Sequence, residues 1–234
     1  MTGGTMRGSS VHAPAGFATL LVLMALAVVG TAVAVLVLTS VIETHIAAGT
    51  RDAEAALHAA EGASQRAVAE LREMDWTPVP GLGTSALADG PSSGVRTLDD
   101  GTRLDLEVET AEITCGRRRA CTASEVAALS ARRPWGTGNP RWRLFLHAPM
   151  STLLPGTVAP LPFYLVVWIA DDPTEVDADP AVDSPSGEPG HGVLLIAARA
   201  YGRRGVRRTV QLAVERVGTE VRLLTQHEIG RAHV

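Results

Sequence analysis

Residues Ala15 to Leu71 read AGFATLLVLMALAVVGTAVAVLVLTSVIETHIAAGTRDAEAALHAAEGASQRAVAEL and contain no proline. The first part, Phe17 to Ile42, is a run of 26 residues without a charge. As a helix it would measure about 39 Å at ~1.5 Å per residue, longer than the roughly 30 Å hydrocarbon layer of a bilayer. A cleaved secretory signal has an apolar core of only about 7–15 residues. We therefore expect residues 17–42 to span a membrane.

Beyond Ile42 the composition stays helix-favouring, but the pattern becomes amphipathic. Small and apolar residues recur at alternating spacings of four and three, which places them on one helix face. They are Ile46, Thr50, Ala53, Leu57, Ala60, Ser64, Ala67 and Leu71. Residues 43–76 are thus predicted as the water-exposed half of the same helix, ending near Asp75-Trp76 because TPVPGLG follows. Within it, Gly62 predicts a bend or a close packing contact.

The composition excludes several kinds of chemistry. The chain has 234 residues and a formal net charge of −4, so no nucleic-acid partner is expected. All 21 basic residues are arginine, which excludes a P-loop lysine and a Schiff-base lysine. The sequence also contains no GxGxxG after a strand and no paired histidine ligands. We predict no catalytic residues and no enzymatic activity.

The two cysteines, Cys115 and Cys121, lie close together in CGRRRAC. In the cytosol such a pair would remain as thiols, whereas beyond a membrane it would form a disulfide. A zinc site would need two further ligands, and no histidine lies nearby in sequence. We favour the disulfide if this part of the chain is extracytoplasmic.

The remainder of the chain is predicted to be rich in β-structure. Residues 77–101 are expected to form a linker or surface loop, and residues 102–227 a globular domain. Alternating polarity predicts a strand from Thr102 to Ile113, and TASEVAALSARR predicts a short helix capped by Thr122 or Ser124. Four further strands are predicted, at Arg141–Ala148, Phe163–Ala170, Gly192–Gly202 and Val206–Val217.

The connections between these strands indicate the topology. The turn GRRG, Gly202 to Gly205, predicts a tight hairpin, and short connections favour an antiparallel meander over βαβ units. The predicted fold class is α+β: a long N-terminal transmembrane-to-soluble helix packed on an antiparallel β-sheet.

An acidic run, ADDPTEVDADPAVDS, follows one predicted strand. Its aspartates offer hard oxygen ligands of the kind that calcium prefers, although the spacing is not that of an EF-hand. The candidate ligands are Asp171, Asp172, Asp177, Asp179 and Asp183. The alternative is a solvated acidic loop without a metal. No other cofactor is expected.

The N-terminal third resembles a known family. A short polar leader, residues 1–16, ends in Gly16 and is followed by Phe17 and the charge-free helix, and this arrangement resembles a type IV prepilin. The segment from Ala47 to Arg72 is similar to the corresponding part of PilX-type pilus assembly proteins. The matching residues are Gly49, Arg51, Asp52, Ala56, Ala59, Ala60, Glu61 and Ala67. The likeness of the C-terminal part is looser.

The resemblance implies a minor pilin or pseudopilin, a structural or priming subunit of a type IV pilus or related secretion filament, with a pilin-like fold. Prepilin peptidase would cleave between Gly16 and Phe17 and methylate Phe17. Major pilins carry a glutamate at the fifth mature position, where this chain has Leu21; its absence fits a tip or priming role. The implied partners are other pilins or pseudopilins, the inner-membrane assembly platform, the peptidase and membrane lipid.

The resemblance and the charges together imply a location. Arg7 is the one Lys or Arg residue before the apolar run, which favours a cytoplasmic N-terminus and an extracytoplasmic globular domain at the bacterial inner membrane. The alternative function is a single-pass membrane-anchored extracytoplasmic binding domain, with calcium as its candidate ligand. The leader distinguishes the two, since a pilin loses it and a simple anchored domain keeps it.

The last seven residues, EIGRAHV, resemble the translation of a sequencing adapter followed by a stop codon. We expect Glu228 to Val234 not to belong to the natural chain.

Overall fold

The computed structural model describes residues 15–74, 84–130, 141–156, 162–172 and 190–229. The chain divides into two compact units, residues 1–50 and residues 51–234. Helix α1, Ala15–Leu71, contributes to both units. Each unit is described by itself.

The described part of the first unit is helical throughout. From Phe17 to Ile46 its large apolar side chains are between 49 and 69 % exposed. The hydroxyl groups of Thr31, Thr39 and Thr44 donate to carbonyl oxygens three or four residues earlier, so these polar groups are satisfied within the helix. By length and composition, α1 is able to cross a membrane.

The second unit contains a five-stranded antiparallel sheet with the order β3-β4-β5-β6-β7. Its strands are β3 (Arg143–Pro149), β4 (Tyr164–Asp171), β5 (Val193–Tyr201), β6 (Arg207–Val217) and β7 (Glu220–Ile229). A separate two-stranded sheet pairs β1 (Val95–Thr97) with β2 (Arg103–Asp105). The helices after α1 are α2 (Leu106–Cys115), α3 (Ala123–Ser130) and the short α4 (Met150–Leu153). The architecture is α+β.

The four strands predicted between Arg141 and Val217 are confirmed, as is their antiparallel order. The hairpin at GRRG is confirmed too. The N–H of Gly202 donates to the carbonyl of Val206 over 2.8 Å, and Arg204 takes up the left-handed backbone at φ 58°. Leu146, Val166 and Ala197 exemplify the buried apolar positions that made these runs recognisable.

The strand predicted from Thr102 to Ile113 is wrong beyond Asp105. Asp105 caps helix α2 instead, because its Oδ1 accepts hydrogen bonds from the N–H groups of Glu107 (3.0 Å) and Val108 (3.2 Å). Gly116 ends the helix in the left-handed conformation at φ 67°. Alternating polarity in this segment was therefore outweighed by the capping residues at its two ends.

Two further strands lie where none was predicted. Strand β1 falls inside the predicted loop 77–101, of which residues 84–101 are described, and β7 follows the last predicted strand. Helix α1 ends at Leu71 and continues into a turn whose Met74 N–H donates to the Leu71 carbonyl. The predicted end at Asp75-Trp76 lies outside the described residues.

One face of the large sheet packs against residues 51–71 of α1. The buried helix positions are small, so the backbone approaches the sheet closely; they are Ala56, Ala59, Ala60, Ala63, Ser64, Ala67, Val68 and Leu71. The predicted seam is thus buried from Ala60 onward, whereas Ile46 is exposed. At Gly62 the prediction of a close contact is confirmed, because an added Cβ would lie 2.8 Å from Leu154 Cδ1.

The opposite face of the sheet carries a second core beneath α2. Trp168 and Val166 are fully buried there, and Leu106 at the start of α2 packs with them. Five aromatic side chains in and beside strands β3 and β4 are buried: Trp142, Phe145, Phe163, Tyr164 and Trp168. The central strands of the sheet are therefore covered on both faces, whereas the edge strand β7 is exposed at every residue except Val221.

Candidate functional site

The predicted cleavage bond lies in the first turn of α1, since the helix begins at Ala15 and the bond joins Gly16 to Phe17. Phe17 is 63 % exposed and Leu21 is 51 % exposed. Position 21 is thus occupied by an exposed apolar side chain. No charged side chain occurs in the sequence between Phe17 and Ile42, so this surface is suited to lipid or to other apolar helices.

A disulfide joins Cys115, the last residue of α2, to Cys121 just before α3. The Cα atoms are 6.1 Å apart. Helix α3 begins with a capping box, in which the Thr122 hydroxyl accepts from the Glu125 N–H and the Glu125 carboxylate accepts from the Thr122 N–H. The predicted cap at Thr122 is thereby confirmed. Hydrogen bonds from Arg119 and Thr122 lower the pKa of Glu125 to about 2.

A buried polar network fastens α2 to the sheet. The carboxylate of Glu109 on α2 accepts hydrogen bonds from Arg199 Nη1 (2.9 Å) and from the Tyr201 hydroxyl (2.6 Å) on β5. Arg199 Nε also donates to Thr209 Oγ1 on β6 over 2.8 Å, and its guanidinium lies 5.4 Å from the ring centre of Trp168. Each charge in this network is therefore paired.

The protonation states in this network follow from burial and charge. Burial raises the pKa of the Tyr201 hydroxyl well above its ordinary value, although the positive charge of Arg199 opposes that rise. Burial alone would lower the pKa of Arg199, but Tyr201 and Glu109 outweigh burial and raise it. Tyr201 therefore stays a neutral donor and Arg199 stays charged.

A second polar cluster lies beside strand β3. His147 is fully buried, and its Nδ1 is 3.1 Å from the hydroxyl oxygen of Tyr164. The Tyr164 hydroxyl donates to Asp89 Oδ2 over 3.3 Å. Arg96 on β1 donates to the carbonyl oxygens of Asp89 (2.9 Å) and Pro91 (2.6 Å), which holds this loop in place. Burial raises the pKa of Tyr164 to about 12, so its hydroxyl remains protonated.

The loop that carries Asp89 covers the outer edge of β3, and we name its residues Ser85–Asp89 the edge strap. The Ser85 N–H donates to the Phe145 carbonyl and the Asp89 N–H donates to the His147 carbonyl, both over 2.7 Å. Pairing of β3 with β4 shifts register between Leu144 and Leu146, so Phe145 lies at a bulge. The edge strap thus satisfies carbonyl groups at one edge of the sheet.

Two of the five candidate calcium ligands are described. Asp171 is the last residue of β4 and is 2 % exposed, and Asp172 follows it directly. Asp177, Asp179 and Asp183 lie outside the described residues. In the described ranges, no three His, Cys, Asp or Glu side chains are grouped so as to hold a metal ion. The structure therefore brings together only Asp171 and Asp172, as neighbours in the chain.

Sequence reasoning missed the two buried polar clusters. Both leave a signal: His147 interrupts the apolar run LFLHAP, and Arg199 interrupts LIAARAY. A titratable residue inside a strand that is otherwise apolar must be paired when it is buried. Glu109, which pairs with Arg199, lies 90 residues away in sequence, and Asp89, which accepts from the ring partner of His147, Tyr164, lies 75 residues from that tyrosine. No local pattern connects these segments.

In comparisons with known proteins, no family model matched the chain, and no curated protein and no solved structure matched it either.

Proposed function

We propose that the chain is a minor pilin or pseudopilin of the PilX type, a structural or priming subunit of a type IV pilus or a related secretion filament. The observation that carries this proposal is the difference between the two segments of helix α1. Residues 17–42 are apolar and exposed, whereas residues 51–71 pack on an antiparallel sheet through small side chains. A subunit that is stored in a membrane and then joins a helical filament core needs both properties.

The disulfide supports the proposed location. A bond between Cys115 and Cys121 fits an oxidising compartment, and Arg7 favours a cytoplasmic N-terminus. In this proposal the globular domain lies outside the cytoplasm of a bacterial cell. Its partners are other pilins or pseudopilins, the inner-membrane assembly platform, prepilin peptidase and membrane lipid.

The apolar residue at position 21 supports a role at the start of the filament. In major pilins, the glutamate at this position helps to neutralise the N-terminal amine of a neighbouring subunit during assembly. Leu21 carries no charge and cannot do so. A subunit without that glutamate is suited to a position where no such pairing is required. We therefore assign the chain to priming or to the tip rather than to the shaft.

Sheared surface filaments test the proposal. In the native host, wild-type chain should appear in the filament fraction, while a Gly16→Leu variant should stay in the membrane because cleavage at that residue is blocked. Gly8→Leu, which alters a glycine away from the cleavage bond, is the matched control and should assemble normally. Absence of the wild-type chain from every filament fraction would instead favour the anchored extracytoplasmic binding domain.

A further inference from the structure

The hydrogen bonds around His147 fix its tautomer. The Tyr164 hydroxyl has one hydrogen, and it is donated to the Asp89 carboxylate. The hydroxyl oxygen must therefore accept the bond from His147, which places the ring hydrogen on Nδ1. In the neutral ring, Nε2 is then an unprotonated acceptor.

This Nε2 atom is buried and has no hydrogen-bond partner within the part of the chain that the structure describes. His147 itself has no exposed surface. Protonation at Nε2 would create a buried positive charge with an N–H group that lacks an acceptor, which is a strongly unfavourable state. We call the arrangement with the edge strap bonded to β3 the closed state. The closed state therefore requires the neutral imidazole of His147.

The charged and titratable groups that act on the ring come from three neighbouring elements. They are Asp89 of the edge strap, Arg96 of β1 and Tyr164 of β4. Burial lowers the pKa of His147, the positive charge of Arg96 lowers it further, and the Asp89 carboxylate opposes them. The closed state thus binds a proton less well than an open, hydrated histidine does.

We propose that His147 is a pH-sensitive latch: its protonation releases the edge strap from β3. The route is short, because Asp89 accepts from Tyr164, Tyr164 contacts His147, and the Asp89 N–H bonds to the carbonyl of His147 itself. In this proposal, hydration of the imidazolium displaces the edge strap, because the strap is joined to His147 both at its carbonyl and, through Tyr164, at its ring. Release leaves the carbonyl groups of Phe145 and His147 open to main-chain pairing with another extended segment.

The sign of the pH effect follows from the lowered pKa. Stability of the closed strap is fully present above the ordinary histidine pKa of ~6.5. It is lost as the pH falls from that value through the lowered pKa of the closed state. Over that interval the opening equilibrium rises about tenfold for each pH unit.

Hydrogen–deuterium exchange of the full chain in detergent micelles tests the proposal. Exchange is measured about one unit above and about one and two units below pH ~6.5, with correction for the intrinsic exchange rate. Protection of peptides from the edge strap and β3 should fall as the pH drops below ~6.5, by a factor that approaches tenfold per pH unit until the lowered pKa of the closed state is reached, whereas peptides from the central strand β5 should keep theirs. A flat profile for the edge strap, or an equal fall in β5, would overturn the proposal.

Two variants separate titration from packing. His147→Asn retains a donor near the Nδ1 position, and His147→Phe retains the ring, but neither side chain titrates. Both should give an edge strap whose protection no longer depends on pH in this range. His58→Asn replaces an exposed histidine of α1 and should behave as wild type. If protection of the edge strap still falls with pH in both His147 variants, the proposal is overturned. If neither variant folds, the comparison of the edge strap with β5 in the wild-type chain decides it.

Discussion

Gly202 lies so close to Phe163 that a Cβ atom at Gly202 would be 2.6 Å from the ring atom Cε1. The backbone of Gly202 is extended, with φ −118° and ψ −178°, so a side chain is excluded here by the neighbouring ring and not by backbone strain. Phe163 is itself buried and directly precedes β4. The β5–β6 hairpin is therefore fitted against the aromatic ring.

Gly202→Ala should lower the free energy of unfolding by about 1–3 kcal/mol, because a buried ring cannot move aside without disturbing the core. Thermal unfolding of the full chain in detergent micelles measures the effect. Gly62→Ala is the matched control, since its close contact is the flexible end of Leu154 and alanine favours a helix by about 1 kcal/mol over glycine. An equal loss of unfolding free energy in the two variants would contradict the close packing of Gly202 against Phe163.

Glu109→Gln should destabilise the fold by about 3–5 kcal/mol, because it leaves the charge of Arg199 buried without its counter-ion. The two side chains are only 10 and 11 % exposed. Replacing both, as Glu109→Leu with Arg199→Met, should recover most of the loss in thermal unfolding.

An exposed ion pair provides the comparison. Arg222 pairs with Glu215 on β6, and the Arg222 side chain is 66 % exposed. Arg222→Ala should therefore cost less than about 1 kcal/mol. If Glu109→Gln cost no more than Arg222→Ala, the network beneath α2 would not be the buried pair described above.

Removing the disulfide by Cys115→Ser with Cys121→Ser should reduce stability by about 2 kcal/mol, the value expected for so short a loop. The cysteines are six residues apart in sequence. Wild-type chain treated with a reductant should show the same shift in its unfolding temperature. A reductant without effect on the wild type, together with an unaltered double variant, would show that the bond does not stabilise this loop.

Much of the sheet could be predicted because its central strands are continuous apolar runs, as in FYLVVWIA and GVLLIAARAYG. Strand β7 escaped prediction since only Val221 is buried among its residues, so it has no apolar face to mark it. Helix α2 was mistaken for a strand because Leu104, Leu106 and Val108 alternate with polar residues. The capping role of Asp105 decided its conformation instead.

The features of the candidate site also differ in how far they could be predicted from the sequence. The apolar half of α1 and the cysteine pair could be predicted because each depends on residues close in sequence. The clusters at His147 and Arg199 could not, since they join segments far apart in the chain. The partners of His147 and Arg199 are adjacent to them only in the folded protein. A sequence pattern that covers a few neighbouring residues therefore cannot identify them.

N-terminal mass spectrometry of the membrane-extracted chain, with and without prepilin peptidase in the cell, tests the proposed function most directly. We expect a mature chain that begins at N-methylated Phe17 when the peptidase is present and a full-length leader when it is absent. A chain that keeps residues 1–16 in both samples would contradict the pilin assignment and leave a membrane-anchored domain.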